Sequence, residues 1–218
     1  MAKLADAYGS GPYGRNTLGV QVSSAAPILY GGKIMANKIV AVVGMCGAGK
    51  SEVTNMFLKA GFQRIYFGDV TFDEIKRRGL ERNWETEKMI REEFRASGDM
   101  GIYAKLNAPK IAELYKQGDV CIESLYSWSE YKYLKEIYGE NFYLIAVVTN
   151  RKIRENRLKS RPVRPMTEED VKNRDYSEIE NIEKGGPIGR ADYYIINNHG
   201  WLCLKGQTKK IIRKIKSL

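Results

Sequence analysis

A β-branched run, Ile39-Val-Ala-Val-Val43, passes without a polar residue into Gly44-Met45-Cys46-Gly47-Ala48-Gly49-Lys50-Ser51. The run has the composition of a strand buried on both faces of a parallel sheet. Beyond the glycines, Val53, Met56, Phe57 and Ala60 recur at helical spacing, and Gly61 stands where a helix stop belongs. A strand, a turn of small residues and a helix in that order leave few folds open. The spacing Gly44-x-x-x-x-Gly49-Lys50-Ser51 is that of a phosphate-binding loop. Small residues let backbone amides close around a triphosphate, where larger side chains would block the approach. Lys50 reaches for the β- and γ-phosphates and the Ser51 hydroxyl for Mg²⁺, while the helix start at Ser51 and Glu52 adds unpaired donors. The alternative is a glycine turn with an incidental Lys-Ser, and the ordered context argues against it.

The 218 residues favour one domain with a sizeable core. No apolar run approaches the roughly 20 residues that span a bilayer, and residues 1–34 lack the basic start and apolar centre of a secretory signal. Cys46, Cys121 and Cys203 are odd in number and widely spaced, which points to free thiols in a reducing cytoplasm. With His199 the only histidine, histidine-based metal or triad chemistry is disfavoured. The net charge of +10 suits polyanionic partners, either nucleotides or nucleic acid, and does not choose between them.

Residues 1–34 carry turn and linker residues without sustained periodicity, as in Tyr8-Gly-Ser-Gly-Pro-Tyr-Gly14. They are expected to form a loosely packed leader, or an arm whose tyrosines dock on a neighbour. The domain is expected to begin at Met35, which reads like a translation start, and to run to 218. From there strands and helices alternate, as in a parallel α/β sheet. Strands are predicted at 39–43, 64–67, 120–122, 142–148 and 193–196. Helices are predicted after the loop and at 72–78, 84–96, 101–116 (with Pro109 kinking or restarting it), 127–138, 150–159, 167–183 and 208–216. Ser127-Trp-Ser-Glu130 has the form of a capping box, and Arg161-Pro-Val-Arg164-Pro165 is a break.

By these residues the chain resembles the P-loop small-molecule kinases, in particular the dephospho-CoA kinases and a family of nucleotide kinases related to the AMP and CMP kinases. The resemblance runs from about Lys38 to Gly200. It rests on the loop, Gly68-Asp69-Val70, Arg77-Arg78-Gly79-Leu80, the arginine-rich stretch from Arg154 to Arg174, and Ala191-Asp192-Tyr-Tyr-Ile-Ile-Asn197-Asn198-His-Gly200. It implies a nucleoside-monophosphate-kinase-like core of five parallel strands, an acceptor-binding helical insertion at about 70–117 and a lid at about 157–176. There is one departure. AMP-kinase-like enzymes place Asp-Gly-x-Pro-Arg after the third strand, its arginine holding acceptor phosphate; this chain has Glu123-Ser124-Leu125-Tyr126-Ser127.

Phosphoryl transfer asks for positioning and charge neutralisation. Lys50 and Mg²⁺ are expected to hold ATP, with Ser51 on the metal and Glu123 ordering it through water. Arg157, Arg161 and Arg164 are the candidates to close over the transferring group, with Arg154 and Arg174 behind them; a solvated basic helix is the alternative. Asp69 is expected to end the strand beside the loop strand, as a general base for a hydroxyl acceptor, an orienter of metal-bound water or a sugar hydroxyl, or a helix cap. Arg77, Arg78, Arg82 and Arg91 stand in the insertion where acceptor phosphate would dock. Asn197 and Asn198 begin the turn where related enzymes contact adenine. Trp84, Tyr103, Tyr126, Trp128, Tyr131 and Tyr133 line an acceptor pocket or fill the core.

The expected function is Mg²⁺- and ATP-dependent phosphorylation of a nucleotide or nucleotide-like metabolite. The alternative is an NTP-binding switch or assembly protein with slow turnover and a protein or nucleic-acid partner. Phosphorylation of nucleic-acid ends is a weaker third. Lys205, Lys209, Lys210, Arg213, Lys214 and Lys216 interleave with isoleucines as a basic amphipathic helix, for which packing on the sheet is the ordinary explanation.

Overall fold

The computed structural model describes residues 28–30 and 33–218, with side chains described from Ala36 onward except that of Trp84. The expected arm at 1–27 lies outside the described residues. A short antiparallel hairpin of β1 (Ile28–Tyr30) and β2 (Lys33–Met35) falls within the segment expected to lack regular structure. Three-residue strands are too short for alternation to register in a sequence.

The domain then runs β3 (Ile39–Val43), α1 (Lys50–Lys59), β4 (Gln63–Tyr66), α2 (Asp69–Arg77), α3 (Trp84–Arg95) and α4 (Ile102–Gln117). It continues through β5 (Val120–Glu123), α5 (Trp128–Tyr138), β6 (Phe142–Val148) and α6 (Arg151–Ser160). The last elements are α7 (Glu168–Glu180), α8 (Gly185–Gly189), β7 (Tyr193–Ile196) and α9 (Trp201–Lys216). Strands β3 to β7 form one parallel sheet in the order β4-β5-β3-β6-β7, so the strand feeding the glycine loop is central.

Alternate residues of β3 point to opposite faces, and both faces are covered. Val40 and Val42 pack with Val53 and Phe57 of α1 and with Leu204, Ile211 and Ile215 of α9. Ile39, Ala41 and Val43 pack with Tyr103, Ala104 and Ile111 of α4 and Leu134 of α5. All five β3 residues are fully buried, which is why the strand carries no polar residue. The chain leaves β3 toward β4 and leaves β5 in the opposite direction toward β6. Right-handed crossovers put those two connections on opposite faces and open a crevice at the carboxyl ends of β3 and β5.

Four expectations are corrected. Helix α4 runs unbroken through Pro109; Pro109 is exposed, so the carbonyl it leaves unpaired one turn earlier faces water. Helix α9 starts at Trp201, before the expected 208, because burial of Leu204 and Thr208 outweighs the poor helix propensity of Gly206. Helix α7 stops at Glu180, and the chain turns at Glu183 into the short α8. Strand β4 begins one residue early, at Gln63. The expected capping box at Ser127/Glu130 is formed, and a second one, at Thr167/Asp170, opens α7.

Glu183 holds a left-handed φ of 52° and is exposed. A side chain there costs about 1–2 kcal/mol relative to glycine, partly offset by glycine's freedom in the unfolded chain. Glu183→Gly is therefore expected to raise the urea unfolding free energy by roughly 0.5–1 kcal/mol. A lower midpoint at unchanged slope would reject the strain.

Candidate active site

The glycine loop is shaped by what its neighbours allow. A Cβ on Gly44 would lie 2.4 Å from the Val147 carbonyl oxygen, and one on Gly49, at φ 99°, would lie 2.4 Å from the Asn197 amide nitrogen. Ala48 carbonyl accepts from Thr149 Oγ1 at 3.0 Å and Asn197 Nδ2 at 2.9 Å, at the ends of β6 and β7. Cys46 carbonyl accepts from Arg154 at 3.1 Å. Lys50 Nζ curls onto the carbonyls of Gly44, at 2.9 Å, and Met45, at 3.0 Å. The loop's carbonyls are thus turned to protein donors, while the amides opening α1 have no intrahelical partner.

Charge around the loop is unbalanced. Arg154 is buried and bidentate to buried Asp175, at 2.9 and 2.6 Å, a neutral pair tying the loop to α7. Lys50, Arg174 and Lys184, by contrast, gather about one carboxylate, Glu178, which takes Arg174 at 3.1 Å and Lys184 at 2.6 Å. Enclosure, then the charge of Lys184, pushes the Lys50 ammonium down to about 8. Of the three cations only Lys184 is fully buried; Lys50 and Arg174 are partly exposed, and three cations on one carboxylate leave a local excess of positive charge.

Ser51 Oγ donates to Glu123 Oε1 at 3.2 Å. A hydroxyl and one carboxylate at the crevice suit Mg²⁺, which keeps several waters and takes few protein ligands. No cluster of three acidic, histidine or cysteine side chains able to cage a metal exists among the described residues. Glu123 also pairs with Arg64 of β4 at 2.6 Å, a partner not expected from the sequence.

A cavity of about 710 Å³ opens between α2, α3 and α4 on one side and the 161–178 region on the other. Arg161, Arg164 and Arg174 line it from one side, Arg91 and Arg95 of α3 from the other, with Tyr66, Phe72, Tyr103 and Tyr126 among the rings of its wall. Arg161 Nε donates to the Arg164 carbonyl within the 161–167 break, and Arg164 holds a left-handed φ of 53°. Arg164 lies 3.9 Å from Glu87 of α3, a buried carboxylate shared with Arg82 and Arg91.

The other predicted residues fall elsewhere. Arg157 donates to Asn197 carbonyl at 3.0 Å and lines a second, smaller cavity of about 230 Å³ with Gly49, Glu52, Asn197, Gly200 and Trp201. Asn198 is engaged with Asn150, accepting from its backbone at 2.9 Å. Arg77 and Arg78 grip Glu74 on the outer face of α2, with Arg78 reaching Glu93 at 2.7 Å, and neither lines the large cavity. Asp69 opens α2, lies 3.6 Å from Lys110 and is not among the lining residues. Of the expected aromatics, Tyr103 and Tyr126 reach the cavity, whereas Trp128 stacks on Tyr131 at 5.0 Å in the core. Reading the sequence alone missed Arg95, Glu87, Glu178 and Lys184. Arg95 follows Arg91 by one helical turn, a signal that was there to be used.

No family model matches the chain. A UPF0200 protein from Thermococcus kodakarensis is 33% identical over 183 residues, covering 82% of this chain and 98% of its own. Among solved structures, shikimate kinase from Acinetobacter baumannii in complex with shikimate aligns with a TM-score of 0.54 at 17% identity, covering 83% of this chain and 94% of that one. A gluconokinase from Sinorhizobium meliloti aligns with a TM-score of 0.52 at 14% identity, over 84% and 93%. At those identities the likeness is one of fold, an α/β P-loop kinase-like architecture.

Lys50, held near 8 against an ordinary 10.5, is charged below pH 8 and loses its proton as pH rises through that value. An anion seated beside it restores the proton. Titrating Mg²⁺-saturated tripolyphosphate into the protein at pH 8 is expected to draw in roughly half a proton, read by calorimetry in buffers of differing ionisation enthalpy. Lys50→Ala should abolish the uptake; its persistence would place the shifted group elsewhere.

Proposed function

The chain belongs to the UPF0200 family, and we propose that it transfers the γ-phosphate of Mg·ATP to a nucleotide or nucleotide-like small molecule. One observation carries the reading. Arg174 and Glu178, which act electrostatically on Lys50 of the loop, also line a cavity walled by five arginines and several aromatic rings. Donor phosphates fit the loop amides, and an anionic acceptor with a flat ring fits the cavity.

In this reading Lys50 leaves the Gly44 and Met45 carbonyls to meet the donor phosphates, a short swing because those carbonyls form the loop itself. Ser51 and Glu123 would hold Mg²⁺, which neutralises phosphate charge when bound. Arg161, Arg164 and Arg174 neutralise the transferring group from the 161–178 side, and Arg91 and Arg95 hold the acceptor's anionic group. The small cavity formed by Gly49, Arg157, Asn197 and Trp201 sits beside the start of α1, where the donor base would extend.

The position of Asp69 gives no support to a hydroxyl acceptor. A hydroxyl needs a base within hydrogen-bond reach, and Asp69 lies off the cavity lining, beside Lys110. A phosphate needs none. The lack of an arginine after Glu123 is an argument for a slow-turnover switch; against it, Arg91 and Arg95 line the cavity from another helix and would supply acceptor cations.

The test is an acceptor panel of nucleoside monophosphates, deoxynucleotides and dephospho-CoA, followed by ATP consumption. ATP use is expected only with an acceptor present and to fall to background in Lys50→Ala. Arg91→Ala and Arg95→Ala are each expected to raise acceptor KM about 10- to 100-fold, the loss of a charge-assisted hydrogen bond. Failure of every acceptor while Mg·ATP binds tightly would reject the kinase reading.

A further inference from the structure

The carboxylate of Glu178 divides its two oxygens between two cations. Oε1 accepts from Arg174 Nε at 3.1 Å and Oε2 from Lys184 Nζ at 2.6 Å. Arg174 and Glu178 line the large cavity, whereas Lys184 stands behind that wall and is fully buried. Its ammonium lies 4.4 Å from the centroid of the Tyr126 ring, itself part of the wall. Its backbone N–H returns to the Glu178 carbonyl at 3.0 Å. A lysine out of contact with solvent does nothing for solubility. A buried ion pair of this kind roughly breaks even in stability against apolar residues of similar size.

We propose that Lys184 is a positioning residue of the phosphate-transfer site, fixing the Glu178 carboxylate and through it Arg174 at the boundary between the loop and the acceptor cavity. The inference rests on the kinase reading above. The terminal torsion of a glutamate is broad, so a cation on one oxygen leaves the carboxylate plane free to turn. A second cation on the other oxygen removes that freedom, and Arg174 is left with one direction. Charge acts in the same sense. Glu178 alone would repel the phosphates that Lys50 draws in; Lys184 offsets it and is the largest charged influence on Lys50.

Three variants separate geometry from charge. Lys184→Gln leaves a carboxylate facing the donor site with one cation fewer, so Mg·ATP affinity measured by calorimetry is expected to fall about tenfold. Lys184→Arg should recover most of it. The double variant Lys184→Gln/Glu178→Gln removes one charge of each sign, so affinity should return to within about threefold of the unaltered protein. Turnover of the acceptor found in the panel should nonetheless stay down by about 30-fold or more in the double variant, because a neutral amide, free to turn, no longer fixes Arg174 as the paired carboxylate did. A merely structural role predicts that turnover recovers together with thermal stability. Full turnover in the double variant, or unaltered Mg·ATP affinity in Lys184→Gln, would overturn the proposal. If the unaltered protein binds Mg·ATP but phosphorylates nothing, the kinase reading falls by itself. A crystal structure of Lys184→Gln then decides the positioning role: Arg174 displaced from Glu178 Oε1 supports it, and an unmoved Arg174 refutes it.

Discussion

The rest of the structure depends on where the loop's carbonyl oxygens go. A chain turning through residues 44–49 presents donors and acceptors to the same small space, and an anion tolerates only the donors. Thr149 and Asn197 take the Ala48 carbonyl, Arg154 takes that of Cys46, and Lys50 holds those of Gly44 and Met45. Apart from Lys50 of α1, the clamps come from the ends of β6 and β7 and from α6, so the loop's shape depends on the assembled sheet. Close backbone approach explains the glycines. At Gly44 and Gly49 the obstacles are the Val147 carbonyl and the Asn197 side chain, both from strands more than a hundred residues away in sequence.

The same contacts join the loop to the 161–178 region. Arg154 bonds the Cys46 carbonyl and Asp175 together, and Asp175 adjoins Arg174, which faces the cavity. Movement of α7 is therefore felt at the loop, through a buried ion pair whose disruption would strand a charge. Across the cavity, Glu87 stands opposite as a carboxylate toward which Arg82, Arg91 and Arg164 converge. An anionic ligand entering there competes with a carboxylate already in place.

Much of this was legible in the residues. The buried parallel strand, the loop, the capping box at Ser127/Glu130 and the break at Arg161–Pro165 all follow local rules, and local rules are what a sequence displays. Errors clustered where tertiary packing overrode local preference: at Pro109, which α4 carries on its wet side; at Gly206, which burial of Leu204 and Thr208 outweighs; and at β1 and β2, too short to show a period. Arginine roles were harder. Nothing local distinguishes Arg77, spent on Glu74, from Arg95, which lines the cavity. The two sit on neighbouring helices with similar neighbours, and only helix orientation separates them.

The sequence by itself determined that the chain would bury a β-branched strand ending in a glycine loop with Lys50 and Ser51, because spacing and residue type suffice for a feature built from consecutive residues. It also determined the alternation of strands and helices, since apolar periodicity reports which face is covered. Only the tertiary structure decided which cations surround the loop, which arginines share a cavity, and that Lys184 stands behind the cavity wall against Glu178 and Tyr126. Those are encounters between segments distant along the chain, fixed by sheet order and crossover hand, and charge has no sequence signature for the partner it will meet.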